Sequence, residues 1–200
     1  VKGNMVSVVE FGKDLSLEEI IANDLTRTRS VGEKVIRKMY KKYILQKVTP
    51  YFRPDLPLAI ICDLDGTLAL HPQRDHYDTT KYASDIPNTV VLEVVRRFQV
   101  QEDYLGSSNE TPFILVVTGR DEAYRQVTAD WLEKYVSFNS LFMRPQGDVR
   151  RDSIIKRELF EAHIRDKYNV LFVLDDRDRV VEMWREELGL TVFQVAEGDF

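Results

Sequence analysis

The chain has 200 residues, 44% of them apolar and 30% charged, which suits one soluble globular domain with a small appendage. It contains no apolar run near the ~20 residues of a membrane span and no charged-then-apolar leader, and its single cysteine, Cys62, excludes an internal disulfide framework; the expectation is a cytoplasmic protein with no membrane partner. The net charge of −5 is uneven, because residues 1–50 carry ten Lys/Arg against six Asp/Glu while residues 51–200 carry a net −9, so any polyanion must meet a local basic patch or a metal.

In chain order, the first fifty residues predict a short strand at Val6–Phe11, a loop and two helices. Val31, Val35, Ile36, Met39, Tyr40, Tyr43 and Ile44 recur at helical spacing. Lys34, Arg37, Lys38, Lys41 and Lys42 cover the other face, either as a solvated surface or as a contact for phosphate or nucleic acid. Thr49–Pro54 contains two prolines and reads as a linker, with residues 51–56 as its body. Short, continuously apolar runs then follow at Leu58–Cys62, Phe113–Val117, Leu141–Met143, Leu171–Leu174 and Val192–Val195. Strands buried on both faces of a parallel sheet have this pattern. Helical patterns near 89–101, 121–136, 152–167 and 178–188 alternate with them, which predicts an α/β fold with a doubly wound parallel sheet.

In such sheets the chemistry collects beyond the carboxyl ends of the strands. There the sequence places Asp63 and Asp65, then Thr118, Gly119 and Arg120, then Asp175 and Asp176, with Lys156 in the helix starting near Asp152. Phosphoryl transfer needs an oxygen nucleophile, a proton donor for the leaving oxygen, and cations around the phosphate. Clustered carboxylates offer the hard oxygen donors that Mg²⁺ prefers. Gly66 permits a tight turn that brings Asp65 back over the site.

These elements, in this order over residues 57–200, resemble the haloacid dehalogenase superfamily of aspartate-nucleophile phosphatases. The resemblance implies a Rossmann-like fold in which Asp63 attacks phosphorus and Asp65 acts as acid and then base. Thr118 and Lys156 would hold the phosphate, and Mg²⁺ would be bound by Asp63, the Asp65 carbonyl, and Asp175 or Asp176. Within the superfamily, the 3′-phosphatase domains of bacteriophage polynucleotide kinase-phosphatases are similar in several stretches. These are Asp63-Leu-Asp-Gly-Thr-Leu-Ala69 with Arg74 and Tyr77, Arg144-Pro-Gln-Gly-Asp148, Asp175-Asp176-Arg177 with Val180–Trp184, and Gln194–Phe200. The resemblance implies that Arg74, Gly119, Arg120 and Arg144 bind substrate. The chain departs from it in having Thr118 where the phage domains have Ser, and His71-Pro72-Gln73 in place of a glycine-containing loop.

Asn23–Arg27, Val31–Glu33 and Val35–Tyr40 are similar to the lid and closing helices of that family's kinase domain, with Arg27 as the lid arginine. No Gly-x-x-x-x-Gly-Lys-[Ser/Thr] loop is present to cradle ATP, so kinase activity is not expected from this chain. Together with the start at Val1, this gives the expectation that residues 1–50 are the end of a kinase domain cut from something longer. Only one helix and two loops separate Asp63 from Thr118, which implies a minimal cap and a crevice open to a bulky substrate. A nucleic-acid 3′ end, DNA or RNA, is the expected partner. A nucleotidase on the same fold, a non-catalytic end-binding module, and a homo-oligomer tethered through residues 1–50 stay open as alternatives. Trp131, Trp184 and His163 read as packing residues, and Arg150, Arg151 and Arg157 as the basic patch nearest the site.

Overall fold

A computed structural model describes residues 15–43, 52–72, 78–99 and 111–198. The expected strand at Val6–Phe11, together with Arg74, Tyr77, His76, Asp199 and Phe200, lies outside them. Contacts divide the chain into two units, Val1–Lys47 and Val48–Phe200.

Among the described residues, the first unit contains helices α1 (Leu17–Leu25) and α2 (Glu33–Tyr43). Ser16 and Glu19 form a reciprocal capping box at the start of α1, which satisfies two otherwise orphaned N–H donors. Asp24, buried at the other end, accepts from the Ser30 hydroxyl at 2.6 Å and from the Val31 and Gly32 N–H groups at 3.1 Å each. It thereby fixes the loop that turns the chain into α2. Gly32 takes φ 86°, which a side chain would strain.

The second unit contains strands β1 (Leu58–Cys62), β2 (Ala69–Leu70) and β3 (Ile86–Pro87), then helix α3 (Thr89–Gln99). Strand β4 (Phe113–Asp121), helix α4 (Arg125–Tyr135), strand β5 (Ser140–Arg144) and helix α5 (Asp152–His163) follow, and strand β6 (Asn169–Arg177), helix α6 (Asp178–Glu182) and strand β7 (Val192–Gly198) complete it. The main sheet has the order β5-β4-β1-β6-β7, and every pairing in it is parallel. Chain order runs outward from β1 to β5, then returns past β1 to β6 and β7. The reversal leaves a crevice at the carboxyl end of β1, where ligands bind in open α/β sheets.

Alternate residues of β1 and β4 enter opposite cores. Ile60, Cys62, Ile114 and Val116 pack with α3 and α4 through Leu92, Val95, Trp131 and Leu132. Ala59, Ile61, Leu115 and Val117 pack with α5 and α6 through Phe160, Val180, Val181 and the following Trp184. The sheet is therefore doubly wound, as expected. Each fully buried Ile or Leu contributes about 1.5–3 kcal/mol by leaving water.

Strands β4 and β6 run past their apolar cores. Polar residues keep pairing along them, Thr118 with Met143 and Asp175 with Gln194, and irregularities then fall between Thr118 and Asp121 and between Asp175 and Arg177. Apolar runs mark only the part of a strand covered on both faces, so sequence reading stops these strands short. Bulges beside active sites re-aim side chains, and both occur at the crevice. At the other end of β6, Asn169 accepts from the Arg53 N–H at 2.9 Å and donates to the carbonyls of Arg53 and Leu56 at 2.6 and 2.7 Å. It pins the segment that leads into β1.

Candidate active site

Asp63 follows β1 directly, and its N–H donates to the Leu174 carbonyl of β6 at 2.9 Å. The Leu64 carbonyl then accepts from Thr67, Leu68 and Ala69, closing a tight turn. Gly66 sits in that turn at φ 84°, and a Cβ there would lie 2.0 Å from Asp176 Oδ2. Only glycine fits both constraints.

On one side of the crevice Lys156 reaches from α5, 1% exposed. Its Nζ donates to Asp63 Oδ1 at 2.7 Å and Asp175 Oδ2 at 3.0 Å, and lies 3.6 Å from Asp152 Oδ2. Asp176 accepts from the Thr67 hydroxyl at 3.2 Å. Burial pulls the Lys156 ammonium toward neutrality, but Asp152, Asp175 and Asp63 outweigh it and hold its pKa well above the ordinary lysine range. Burial pushes the Asp63 carboxyl well above the carboxylate range; Lys156 opposes the rise, while Asp175, Asp176 and Asp152 add to it. Asp176 is likewise pushed up, by burial and then by Asp175. Asp152 is also offset by Arg177 at 3.6 Å and Arg144 at 3.5 Å, so one ammonium is left to face the three buried carboxylates Asp63, Asp175 and Asp176.

That imbalance, and the donors themselves, suit a dication. Oxygens of Asp63, Asp175 and Asp176 lie within 4.8 Å of one another, all three residues are buried, and every donor is a hard oxygen. The residues present therefore fit a divalent metal ion.

On the other side Arg120, 2% exposed, grips Asp65 with Nε–Oδ2 at 2.8 Å and Nη2–Oδ1 at 2.7 Å. The same Nη2 donates to Asp85 at 2.5 Å, and the Tyr82 ring centroid lies 3.8 Å from the guanidinium carbon. Burial works against the arginine's charge, and Asp65 and Asp85 override it. The Arg120 N–H also donates to the Thr118 hydroxyl at 3.2 Å, which leaves the Thr118 O–H free to donate elsewhere. Arg144 donates to the carbonyls of Gly119 at 2.7 Å, Asp148 at 3.2 Å and Arg150 at 2.6 Å, and lies 3.5 Å from Asp152. Gly119 leaves room for Asp152, since a Cβ there would meet its Oδ1 at 2.4 Å.

The comparisons bear on this arrangement. The family described as the polynucleotide kinase PNKP phosphatase domain, of the haloacid dehalogenase type, matches residues 57–200. The chain belongs to this family. A "Putative bifunctional polynucleotide kinase/RNA ligase" of Autographa californica nuclear polyhedrosis virus is 36% identical over 190 residues, covering 91% of this chain and 26% of that protein. Among solved structures, a chain of a Pnkp1/Rnl/Hen1 complex is 41% identical with a TM-score of 0.69, covering 78% of this chain and 51% of its own. A chain of the Pnkp1/Rnl/Hen1 RNA repair complex is 35% identical with a TM-score of 0.70, covering 94% and 64%. The chain thus spans about a quarter of the viral relative and between half and two thirds of the two structural neighbours. These relatives support the family, and with it a phosphatase domain, rather than a bacteriophage source.

Within the PNKP phosphatase domain, the fold gathers Asp63, Asp65, Thr118, Gly119, Arg120, Lys156, Asp175 and Asp176 at one end of the sheet, with Arg144 tying the loops behind them. Arg74 falls outside the described residues, and Arg27 belongs to the first unit, exposed after α1. Arg150, expected in a basic patch, is paired to Asp148 at 2.7 Å and Glu158 at 2.8 Å, and Arg157 faces Glu187 at 3.4 Å. Sequence reading gave no role to Asp152, Asp85 or Tyr82. Asp152 had a signal, its i,i+4 spacing to Lys156. Asp85 and Tyr82 had none, because they lie on a short 3₁₀ turn and its exit between β2 and β3. His163 stacks on Phe142 at 5.0 Å, a packing contact. No described helix is long and apolar enough to cross a membrane.

Proposed function

We propose that residues 57–200 remove the 3′-terminal phosphate from DNA or RNA in a Mg²⁺-dependent reaction, as the phosphatase half of a polynucleotide kinase-phosphatase in nucleic-acid end repair. One observation carries the chemistry. Asp63 lies buried at the switch point of the sheet, 2.7 Å from Lys156, with a second aspartate, Asp65, two residues on and held in place by Arg120. Family membership and the relatives' names support the substrate.

In this reading an Asp63 oxygen attacks phosphorus while the bond from phosphorus to the 3′ oxygen breaks, and Asp65 delivers the proton that oxygen needs. Water then attacks the aspartyl-phosphate, Asp65 takes its proton, and phosphate departs from a regenerated carboxylate. Arg120 stays paired to Asp85 when Asp65 gives up its charge, so the buried guanidinium is never without a carboxylate. The Thr118 hydroxyl and Lys156 hold phosphate oxygens. Arg74, the Gly119 backbone, Arg120 and Arg144 shape the substrate side. Mg²⁺, held by Asp63, the Asp65 carbonyl, and Asp176 or Asp175, would supply the positive charge that lets an anionic nucleophile approach a phosphate.

Residues 1–50 are read as the C-terminal part of a P-loop kinase domain with Arg27 in its lid, joined through residues 51–56. The viral relative, whose name includes polynucleotide kinase, matches 91% of the chain and so extends into this segment. The test is phosphate release from matched 3′- and 5′-phosphorylated oligonucleotides and from nucleoside monophosphates, with and without Mg²⁺. Release from the 3′ substrate only with Mg²⁺ is expected. Equal or faster turnover of the monophosphates would overturn the polymer substrate.

A further inference from the structure

We propose that Trp184 is a positioning residue for the metal-side carboxylates, acting through its indole N–H. The proposal rests on the metal site described above and extends it to a residue that touches neither metal nor phosphate.

Trp184 is wholly buried, and its ring meets Phe160 edge-on at 5.9 Å. Packing alone would account for a buried aromatic there. It does not account for the nitrogen, because Nε1 donates to Asp175 Oδ2 at 3.1 Å. The same oxygen accepts from Lys156 Nζ at 3.0 Å, and the other, Oδ1, accepts from the Arg177 N–H at 3.2 Å. With two lone pairs on each oxygen, Asp175 Oδ2 is filled and Oδ1 is half filled. Its rotamer is fixed from three directions. Asp176, by contrast, receives the Thr67 hydroxyl at Oδ1, and its Oδ2 stands against the Gly66 turn.

The helix carrying the tryptophan departs from α geometry at this point. Residues Met183–Glu187 form a π turn directly after α6, and Leu188 N–H donates to the Met183 carbonyl at 3.3 Å. Single π turns within helices are frequent at functional sites because the extra residue rotates side chains to new directions. Here the turn contains the residue whose nitrogen reaches Asp175. The donor is also neutral. It satisfies a buried carboxylate oxygen without adding a cation beside Lys156, so the three buried carboxylates Asp63, Asp175 and Asp176 still outnumber the one ammonium among them.

The test uses the full chain and Mg²⁺ alone. Trp184→Phe keeps a packing ring and removes the N–H, and Phe160→Leu disturbs the same packing and keeps it. Calorimetric Mg²⁺ titration without substrate should give Trp184→Phe an affinity weaker by about tenfold, the size of effect seen when outer hydrogen-bond partners of metal ligands are lost. Phe160→Leu should lower Tm and leave Mg²⁺ affinity within twofold of wild type. The chain has two tryptophans, so ¹⁵N-indole spectra of Trp131→Phe report Trp184 alone, and that signal should shift on Mg²⁺ addition. Trp184→Phe binding Mg²⁺ like wild type, or, should that variant fail to fold, an indole signal that Mg²⁺ does not move, would overturn the role of Trp184 while leaving the metal site standing. Wild-type protein that binds no Mg²⁺ would remove both.

Discussion

The two sides of the crevice are built on opposite electrostatic plans. On the Asp63 side three buried carboxylates, Asp63, Asp175 and Asp176, surround one ammonium, while the half-buried Asp152 beside them is also offset by Arg144 and Arg177. Burial together with mutual repulsion pushes Asp63 and Asp176 upward. On the Asp65 side one guanidinium is shared by two carboxylates and stacked on a tyrosine. The first cluster has oxygen donors left over and an excess of negative charge, so it is built to receive a cation. The second spends its arginine on holding one carboxylate still. The proposed reaction both binds a cation and moves a proton, and needs the two tasks apart. Separate ion-pair networks on adjacent strand ends achieve this.

The largest effect expected from breaking this arrangement is at Asp63, the proposed nucleophile. Asp63→Asn should lower Mg²⁺-dependent phosphate release by on the order of 10⁴-fold or more, measured in single-turnover assays with a 3′-phosphorylated oligonucleotide. Residual activity within tenfold of wild type would remove Asp63 from the chemistry and, with it, the contrast between the two sides.

Lys156→Met tests whether the metal side is the strained one. Removing one partner of a buried ion pair leaves carboxylates uncompensated and costs about 3–5 kcal/mol, so urea unfolding without Mg²⁺ should show a loss of that order. Saturating Mg²⁺ should recover part of it, because a dication supplies the missing charge. An equal loss with and without Mg²⁺ would mean that the cation does not enter this pocket.

Asp85→Asn tests the other side. The amide can still accept from Arg120 but carries no charge, so Arg120 is left with Asp65 as its one carboxylate on that face of the site. Asp65 then becomes harder to protonate, and kcat should fall by about 10²-fold, the lower range for losing general acid–base assistance. Mg²⁺ affinity should hold within twofold, since Asp85 shares no hydrogen bond with Asp63, Asp175 or Asp176 among the described residues. A matching loss of metal affinity would show that the two networks are one.

The same contrast explains what the sequence could disclose. Asp63, Thr118 and Asp175 each follow an apolar run, and a run buried on both faces of a parallel sheet announces its own end. That these residues gather at one end of the sheet was therefore legible almost residue by residue, down to Lys156 on the helix after β5. Asp152 was missed although its spacing to Lys156 was visible, because an acid in the first turn of a helix also has an ordinary explanation in the helix dipole. Asp85 and Tyr82 could not be found. They reach Arg120 from an irregular stretch whose shape depends on pairing between β2 and β3, and neither two-residue strand carries a periodic signal. Trp184 shows a different limit, since hydrophobic spacing predicts that the ring is buried and says nothing about where its nitrogen points.

The smallest predicted effect discriminates most finely within the Asp65 side. Tyr82 is buried with its ring 3.8 Å from the Arg120 guanidinium, and Tyr124 packs edge-on against it at 5.4 Å while accepting from the Thr79 hydroxyl at 3.0 Å. Tyr82→Leu keeps an apolar side chain and removes the π face, a loss of about 1–2 kcal/mol for a desolvated cation–π contact. If the ring serves Asp65 by holding Arg120 in place, kcat should fall roughly tenfold with Mg²⁺ affinity unchanged. The double variant with Asp85→Asn should then lose less than the two single losses combined, because residues acting on one shared partner couple. Strict additivity would mean that the tyrosine and the aspartate act on Arg120 independently, and that the proton-transfer side is held by two separate devices rather than one.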